Sequence, residues 1–414
     1  MKSRRSLFSI VLALALFLSA FPAQSATTPD NALVPFSAGS AESGNHSIEV
    51  LELIPAGAAT AEVFIRRGNA RDLAGDFRGA VAEYTRALEI SPTFLPLYVN
   101  RAIALKRLDD LDAAISDCNR ALAINPKDTS ALVIRGGIKQ TRGEVHAAIA
   151  DFSRALTFAP KHAHALVSRS NARGAAGDHE GALADAERAI VLKPWLGIAY
   201  VARGRAKLEK GDMAGAIADW DNAIGIDPNE ANAFLNRAAA KAAENNQEGA
   251  LMDYTRAIEL RPNLAHPYVS RGEARRQTGD LSGAVADFSR AISLERHLAA
   301  AYHNRGSIRL RMDDVAGAIA DLTSAIDQYS RDREMYAQRE HTRHRNGEPD
   351  PGNANLNRTR NVDAQLGLAY YDRSRANAAR QNSDAAAHDL AAAVKLNPER
   401  TGPPLASAKT ADER

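Results

Sequence analysis

Ten arginines recur at a single interval, and a charged fork repeated so regularly has definite chemical uses. Arg67, Arg101, Arg135, Arg169, Arg203, Arg237, Arg271, Arg305, Arg339 and Arg373 stand 34 residues apart. Glu83, Asp117, Asp151, Asp185, Asp219, Asp253, Asp287 and Asp321 keep the same interval, and Asp389 resumes it after an amide at Asn355. A guanidinium takes a carboxylate through two parallel N–H donors. The arginines therefore either form a ladder that grips an acidic ligand, or each meets a carboxylate of its own or a neighbouring unit as an internal ion pair. Because the acids track the arginines, down to the amide at Asn355, the internal pair is the preferred reading.

Other chemistry is sparse. His341 and His344 share one stretch and His303 lies in the preceding unit, which suggests a metal site. Arg339, Arg343 and Arg345 surround that stretch and repel a cation, so no metal is assigned. No Gly-rich phosphate loop follows a strand, and there is no nucleophile elbow or His/Cys/Asp cluster at zinc spacing. No catalytic residue, enzyme activity or cofactor is expected.

The elements that must position these residues are set by the same interval. Pro92, Pro126, Pro160, Pro194, Pro228 and Pro262 are 34 residues apart, and further steps through Arg296, Ser330 and Ala364 reach Pro398. Each period holds two amphipathic stretches of helical length. The second carries small residues around a large one, as in Ala80-Tyr84-Ala87, Ala148-Phe152-Ala155, Ala216-Trp220-Ala223 and Ala284-Phe288-Ala291. In the first, a large residue precedes a small one by four positions: Phe64 with Gly68, Tyr200 with Gly204, Tyr268 with Gly272, Tyr302 with Gly306. Gly75-Asp76, Gly177-Asp178, Gly211-Asp212 and Gly279-Asp280 separate the stretches, with Gly ending one helix and Asp capping the next. The proline stops the second helix.

The period and this order of large, small, Ala, aromatic, Ala and Pro resemble the tetratricopeptide repeat, in its bacterial form reading roughly Tyr-x-x-Arg-Gly, Gly-Asp, Ala-Ile-x-Asp-Phe-x-x-Ala-Ile. The resemblance covers about Ala61 to Pro398. It implies an all-α fold, a right-handed α-solenoid of about ten helix-turn-helix units. Eight units fall in 61–332 and a degenerate one in 333–366, where Gly347-Glu348-Pro349-Asp350-Pro351-Gly352 interrupts the second helix. A final unit occupies 367–398.

That family turns one face of its first helices to a concave surface. On this face lie Ile65, Val99, Val133, Val167, Val201, Leu235 and Val269, an apolar line broken by His303 and resumed at Tyr371. Asn100, Ser168, Asn236, Ser270 and Asn304 run beside it. An apolar line flanked by amides suits an extended peptide, and the same valines equally suit packing between adjacent helices. Asn100, Asn236 and Asn304 resemble part of the asparagine ladder of O-linked N-acetylglucosamine transferases, without the catalytic domain that follows it there.

At the start, Lys2, Arg4 and Arg5 precede an apolar run from Leu7 to Leu18, and Ala23-Gln24-Ser25 offers a cleavage site. This reads as a signal peptide over 1–25, with a retained anchor as the alternative, and implies a periplasmic or secreted protein with no stable span after cleavage. No cysteine at the cleavage site argues against a lipoprotein, and Cys118 alone forbids an intramolecular disulfide. Residues 26–60 read as a flexible leader and 399–414 as a disordered tail. A net charge of +2 gives no pull on nucleic acid. Protein partners are expected, self-association through the last unit stays open, and polysaccharide or polymer export is the alternative role.

Overall fold

The computed structural model describes residues 60–345 and 354–396, which form eighteen helices and, among the described residues, no strand. The signal segment, the leader, the Pro/Gly interruption and the tail lie outside the described residues. The chain divides into two compact units, one through Arg237 and one from Ala238 onward.

In the first unit the helices alternate: α1 (Ala61–Leu73), α2 (Phe77–Ile90), α3 (Leu95–Arg107), α4 (Leu111–Ile124), α5 (Thr129–Thr141), α6 (Val145–Phe158), α7 (Ala163–Ala175), α8 (His179–Leu192), α9 (Gly197–Glu209) and α10 (Met213–Ile226), with α11 (Ala231–Ala243) crossing the division. Successive helices pack as hairpins, and α3 with α5, α5 with α7 and α7 with α9 also meet. In the second unit come α12 (Gln247–Leu260), α13 (Ala265–Thr278), α14 (Leu281–Leu294), α15 (Ala299–Arg311), α16 (Val315–Arg345), α17 (Ala354–Ala379) and α18 (Ser383–Leu396). The all-α hairpin architecture expected from the 34-residue period is the one observed.

Turn chemistry sets the hairpins. Gly211 adopts φ +86°, a left-handed conformation that glycine accepts without strain, and the Asp212 carboxylate then accepts from the Gly215 N–H at 2.9 Å to start α10. Between hairpins, the Tyr98 and Tyr268 hydroxyls donate to the carbonyls of Pro92 and Pro262 at 2.9 and 3.1 Å, so the proline corner is pinned as well as broken.

Packing within a hairpin is large against small. A Cβ placed on Gly68, Gly136 or Gly204 would come within 2.5, 2.7 and 2.6 Å of the Tyr84, Phe152 and Trp220 rings. Those rings are fully buried. No glycine side chain means close helix approach, which lets the ring of the second helix fill the gap.

The pattern breaks after the eighth hairpin. α14 stops at Leu294 although Arg296 replaces the proline, but at Ser330 no helix breaker stands and α16 runs on for 31 residues. The unit expected at 333–366 is built from the ends of two longer helices. Its first half is the far end of α16 and its second half the near end of α17, a 26-residue helix that continues into the final unit. The boundaries placed at 332/333 and 366/367 both fall inside helices. The reason lies in one column: Glu340 stands where Gly68, Ala102, Gly136, Ser170, Gly204, Ala238, Gly272, Gly306 and Ser374 supply small side chains, so the close approach has no room.

Two glycines of one hairpin test this packing in opposite directions. Gly204→Ala forces a methyl onto Trp220 and is expected to cost about 1–3 kcal/mol in urea unfolding. Gly225→Ala on α10 meets nothing within 4 Å and should instead stabilise by about 0.5–1 kcal/mol through helix propensity.

Candidate functional site

The arginine and acid columns meet inside the hairpins. Arg101, Arg135, Arg169, Arg203, Arg271, Arg305 and Arg373 each donate twice to the aspartate 16 residues on. The Nε–Oδ2 distances are 2.7–2.9 Å and the Nη2–Oδ1 distances 2.6–2.7 Å. The aspartates are buried, which an ionised carboxylate tolerates only when paired. In the first hairpin Glu83 takes the acid position and faces Arg71 and Arg86 at 3.6 Å.

A third column, which the sequence reading passed over, completes the cluster. Lys139, Arg173, Lys207, Lys241, Arg275 and Arg309 follow the arginine column by one helical turn and reach the same aspartates at 2.8–2.9 Å. In the last unit Asn377 donates instead, to Asp389 at 3.0 Å. The i, i+4 recurrence of a cation behind most of the arginines, broken at Leu105 and Asn377, was the available signal.

The remaining Nη1 of the arginine ties neighbouring hairpins together. Arg101 donates to Thr85, Arg135 to Asn119, Arg169 to Ser153, Arg237 to Asp221, Arg271 to Thr255 and Arg305 to Ser289, each 16 residues back and at 2.6–3.2 Å. Several of the guanidinium groups also lie over an aromatic ring three residues earlier, as Arg203 does over Tyr200 at 5.4 Å and Arg271 over Tyr268 at 5.8 Å. In these hairpins the guanidinium is committed to the carboxylate and to the neighbouring hairpin, so this part of the column is structural cement.

The structure places most of the apolar line in or against the cores between hairpins. Val99 is 1% exposed and belongs to the core around Tyr84 and Leu97, with Ile65 and Val133 packed against it. Val167 and Val269 belong to two further cores, and Val201 is buried. Leu235 is partly buried. Asn100 is buried with its Oδ1 unpartnered, and Asn236 and Ser270 are buried too. Ser270 shares a 3.1 Å hydrogen bond with the His266 ring. Ser168, Asn304 and Tyr371 stay partly open. A shape-filling position between successive first helices explains the valines: their faces close on the neighbouring hairpin before a ligand could reach them.

The partly open column lies one turn further on. Asn69, Ile103, Gly137, Asn171 and Arg205 in the first unit, and Ala239, Glu273 and Ser307 in the second, are all half-buried. Arg205 donates to Asn171 at 3.4 Å across one full period, so these side chains line up from hairpin to hairpin. Burial lowers the pKa of the Arg205 guanidinium, with Glu209 acting the other way. Unlike the cement, this column changes chemistry at every step.

The histidines do not converge. His303 is buried and places Nε2 at 3.2 Å from Asp372 Oδ2, to which the Ser307 hydroxyl also donates. Burial would raise the Asp372 pKa, but these two hydrogen bonds hold it below the ordinary value. His341 and His344 are exposed on the far end of α16. Among the described residues no group of three His, Cys, Asp or Glu is placed to hold a metal, and no helix is long and apolar enough to cross a membrane. Cys118 is buried, and burial pushes its thiol up to about 12.

Asp151 shows what the cement contributes with pH. Burial works to raise its pKa, but hydrogen bonds from Arg135 and Lys139 outweigh it and hold the carboxyl below the ordinary value. A carboxyl depressed in the folded state adds stability that is complete above its unfolded value of about 3.9 and disappears as pH falls through the folded one. The melting temperature should therefore be flat from about pH 5 to pH 8 and drop below about pH 4. Asp151→Asn should lose about 3 kcal/mol at neutral pH and show a shallower acid limb. A variant of Arg135 that binds partners less well with an unchanged melt would return this column to the ligand reading.

Residues 95–128 match the Tetratricopeptide repeat family; the matched span takes in α3, its turn, α4 and the following corner. No curated protein matches the sequence. The fold is similar to that of a tetratricopeptide repeat protein from Parabacteroides merdae, at 19% identity and a TM-score of 0.50, over 59% of this chain and 97% of that one. Weaker likenesses are to MamA (22% identity, TM-score 0.35, 41% of this chain and 93% of that one) and to YrrB, a TPR protein with an unusual peptide-binding site (22%, 0.33, 44% and 95%). One whole period, residues 95–128, thus matches the tetratricopeptide repeat, and the ion-paired hairpin seen there recurs at the same spacing along the described residues.

Proposed function

We propose that this protein is a non-catalytic scaffold of the cell envelope that holds partner proteins, or extended segments of them, on the half-open column of its first helices. The observation that carries the reading is the contrast between columns. The interior arginine, lysine and aspartate positions repeat one chemistry and are consumed by pairing, whereas Asn69, Ile103, Gly137, Asn171 and Arg205 differ at each step on the same rigid backbone. Such a surface offers amide, apolar, open and cationic contacts in a fixed order, which suits a partner of defined sequence. Arg205, already partly desolvated, gains most from a carboxylate in that partner. The envelope location rests on the basic, apolar and small-residue order of residues 1–25.

A second reading, an accessory subunit for polysaccharide or polymer export, draws on Trp195, which is 69% exposed beside the exposed Val191 and could stack on a sugar ring.

Photocrosslinking from position 171 in intact envelopes separates the two. Discrete protein adducts are expected, weakened about tenfold by Arg205→Ala at an unchanged melting temperature. Adducts to glycan alone, lost with Trp195→Ala, would select the export reading, and no adducts at all would sink the scaffold.

A further inference from the structure

The last repeat docks where a different repeat is due. In the regular hairpins the arginine Nη1 reaches back 16 residues to the second helix of the preceding unit. Arg373 instead donates to Thr323 at 3.1 Å, 50 residues back, which is the regular step plus one whole period. Thr323 occupies on α16 the position that Ser289 occupies on α14. First helices of adjacent units also meet, as α13 does with α15, and here α15 meets α17. Asp372 on α17 takes the hydrogen bonds of His303 and Ser307 on α15. By every one of these contacts the tenth unit sits on the eighth.

The ninth unit is rooted in the stack at Leu366 and Val362, which pack with Ala299, Ile326 and Tyr329, and forms an arm beyond that root. The far end of α16 and the near end of α17 pack against one another, with Arg333 paired to Asp363 and the Tyr336 ring between Arg339 and Arg358. Thirteen residues of α16 beyond Asp332 give an arm of about 20 Å. In sequence, Glu340 fills the small-residue column and Asn355 stands where the acid is due, so this unit carries neither the small side chain nor the carboxylate of the others. The tenth has Ser374, fully buried, and Asp389, doubly bonded by Arg373. Its entry, Gly367-Leu368-Ala369-Tyr370, repeats the Gly197-Ile198-Ala199-Tyr200 that opens α9, although α17 runs through it as continuous helix.

We propose that residues 333–366 are a spare repeat held out of the stack as a helical arm, and that the tenth unit completes the stack without it. Removing these 34 residues joins Asp332 to Gly367 and restores the regular spacing between Arg305 and Arg373. Beyond its root, where Val362 and Leu366 join the core of Ala299, Ile326 and Tyr329, the arm is free to change or engage other molecules without disturbing the hairpins that carry it.

Hydrogen exchange on the otherwise full chain tests this. In the variant lacking 333–366, amides of 299–311 and 383–396 should exchange within about twofold of the parent; loss of their protection would overturn the proposal. Point variants give an independent answer in the intact chain. Arg373→Ala should speed exchange in 383–396 by about tenfold or more, whereas Arg339→Ala should leave it within about twofold. Equal sensitivity to the two arginines, or none to Arg373, would show that the ninth unit is in the stack after all.

Discussion

A half-buried guanidinium between helices, bonded to a buried carboxylate, is the constraint on which the rest depends. Neither charge can sit there alone, because desolvation of an unpaired ion costs several kcal/mol. The planar fork therefore fixes where the second helix stands relative to the first, as between Arg203 and Asp219. Its leftover nitrogen fixes the preceding hairpin, as between Arg271 and Thr255. One side chain thus sets both the register within a repeat and the contact between repeats. A hairpin that cannot bury its own apolar face needs both. The lysine or arginine one turn later, such as Lys207 on Asp219, neutralises the carboxylate further.

Close approach is the second requirement, and the two act together. Gly204 lets Trp220 fill the hairpin, with its indole N–H directed to the Val201 carbonyl at 3.4 Å. Only at that helix separation can Arg203 and Asp219 meet at hydrogen-bonding distance. In the ninth repeat both are lost at once. Glu340 is too long for the gap, and no helix breaker near Ser330 turns the chain, so the segment leaves the stack. A fold built of equivalent neighbours tolerates this, since the next competent repeat presents the same docking face.

Function can be varied on such a scaffold because the interior work is assigned to fixed columns. Keeping the Arg–Asp pair and the cation behind it within the hairpin leaves the half-open position of each first helix, from Asn69 to Arg205, free of that pairing, although Asn69 accepts from the Tyr84 hydroxyl and Ile103 packs against the core. At Val99 and Asn100, by contrast, burial ties the residue to packing whatever its chemistry suggests.

The sequence by itself determined the period, the two helices per period, the Gly-Asp turns and the preference for an internal Arg–carboxylate pair, leaving open whether the partner was in the same unit or the next. These are local or strictly periodic properties: a cap acts over three residues, and a column repeats in step with its partner. Tertiary structure decided the rest. Whether Val99 faces a ligand or a neighbouring helix depends on how closely two hairpins approach, and a single helix's periodicity reports an apolar face without saying what covers it. That Lys139 and Arg173 join the carboxylate cluster required both helices to be in place. The docking of Arg373 on Thr323 was hidden for the same reason: distance along the chain says nothing about contact once a whole repeat steps out of line.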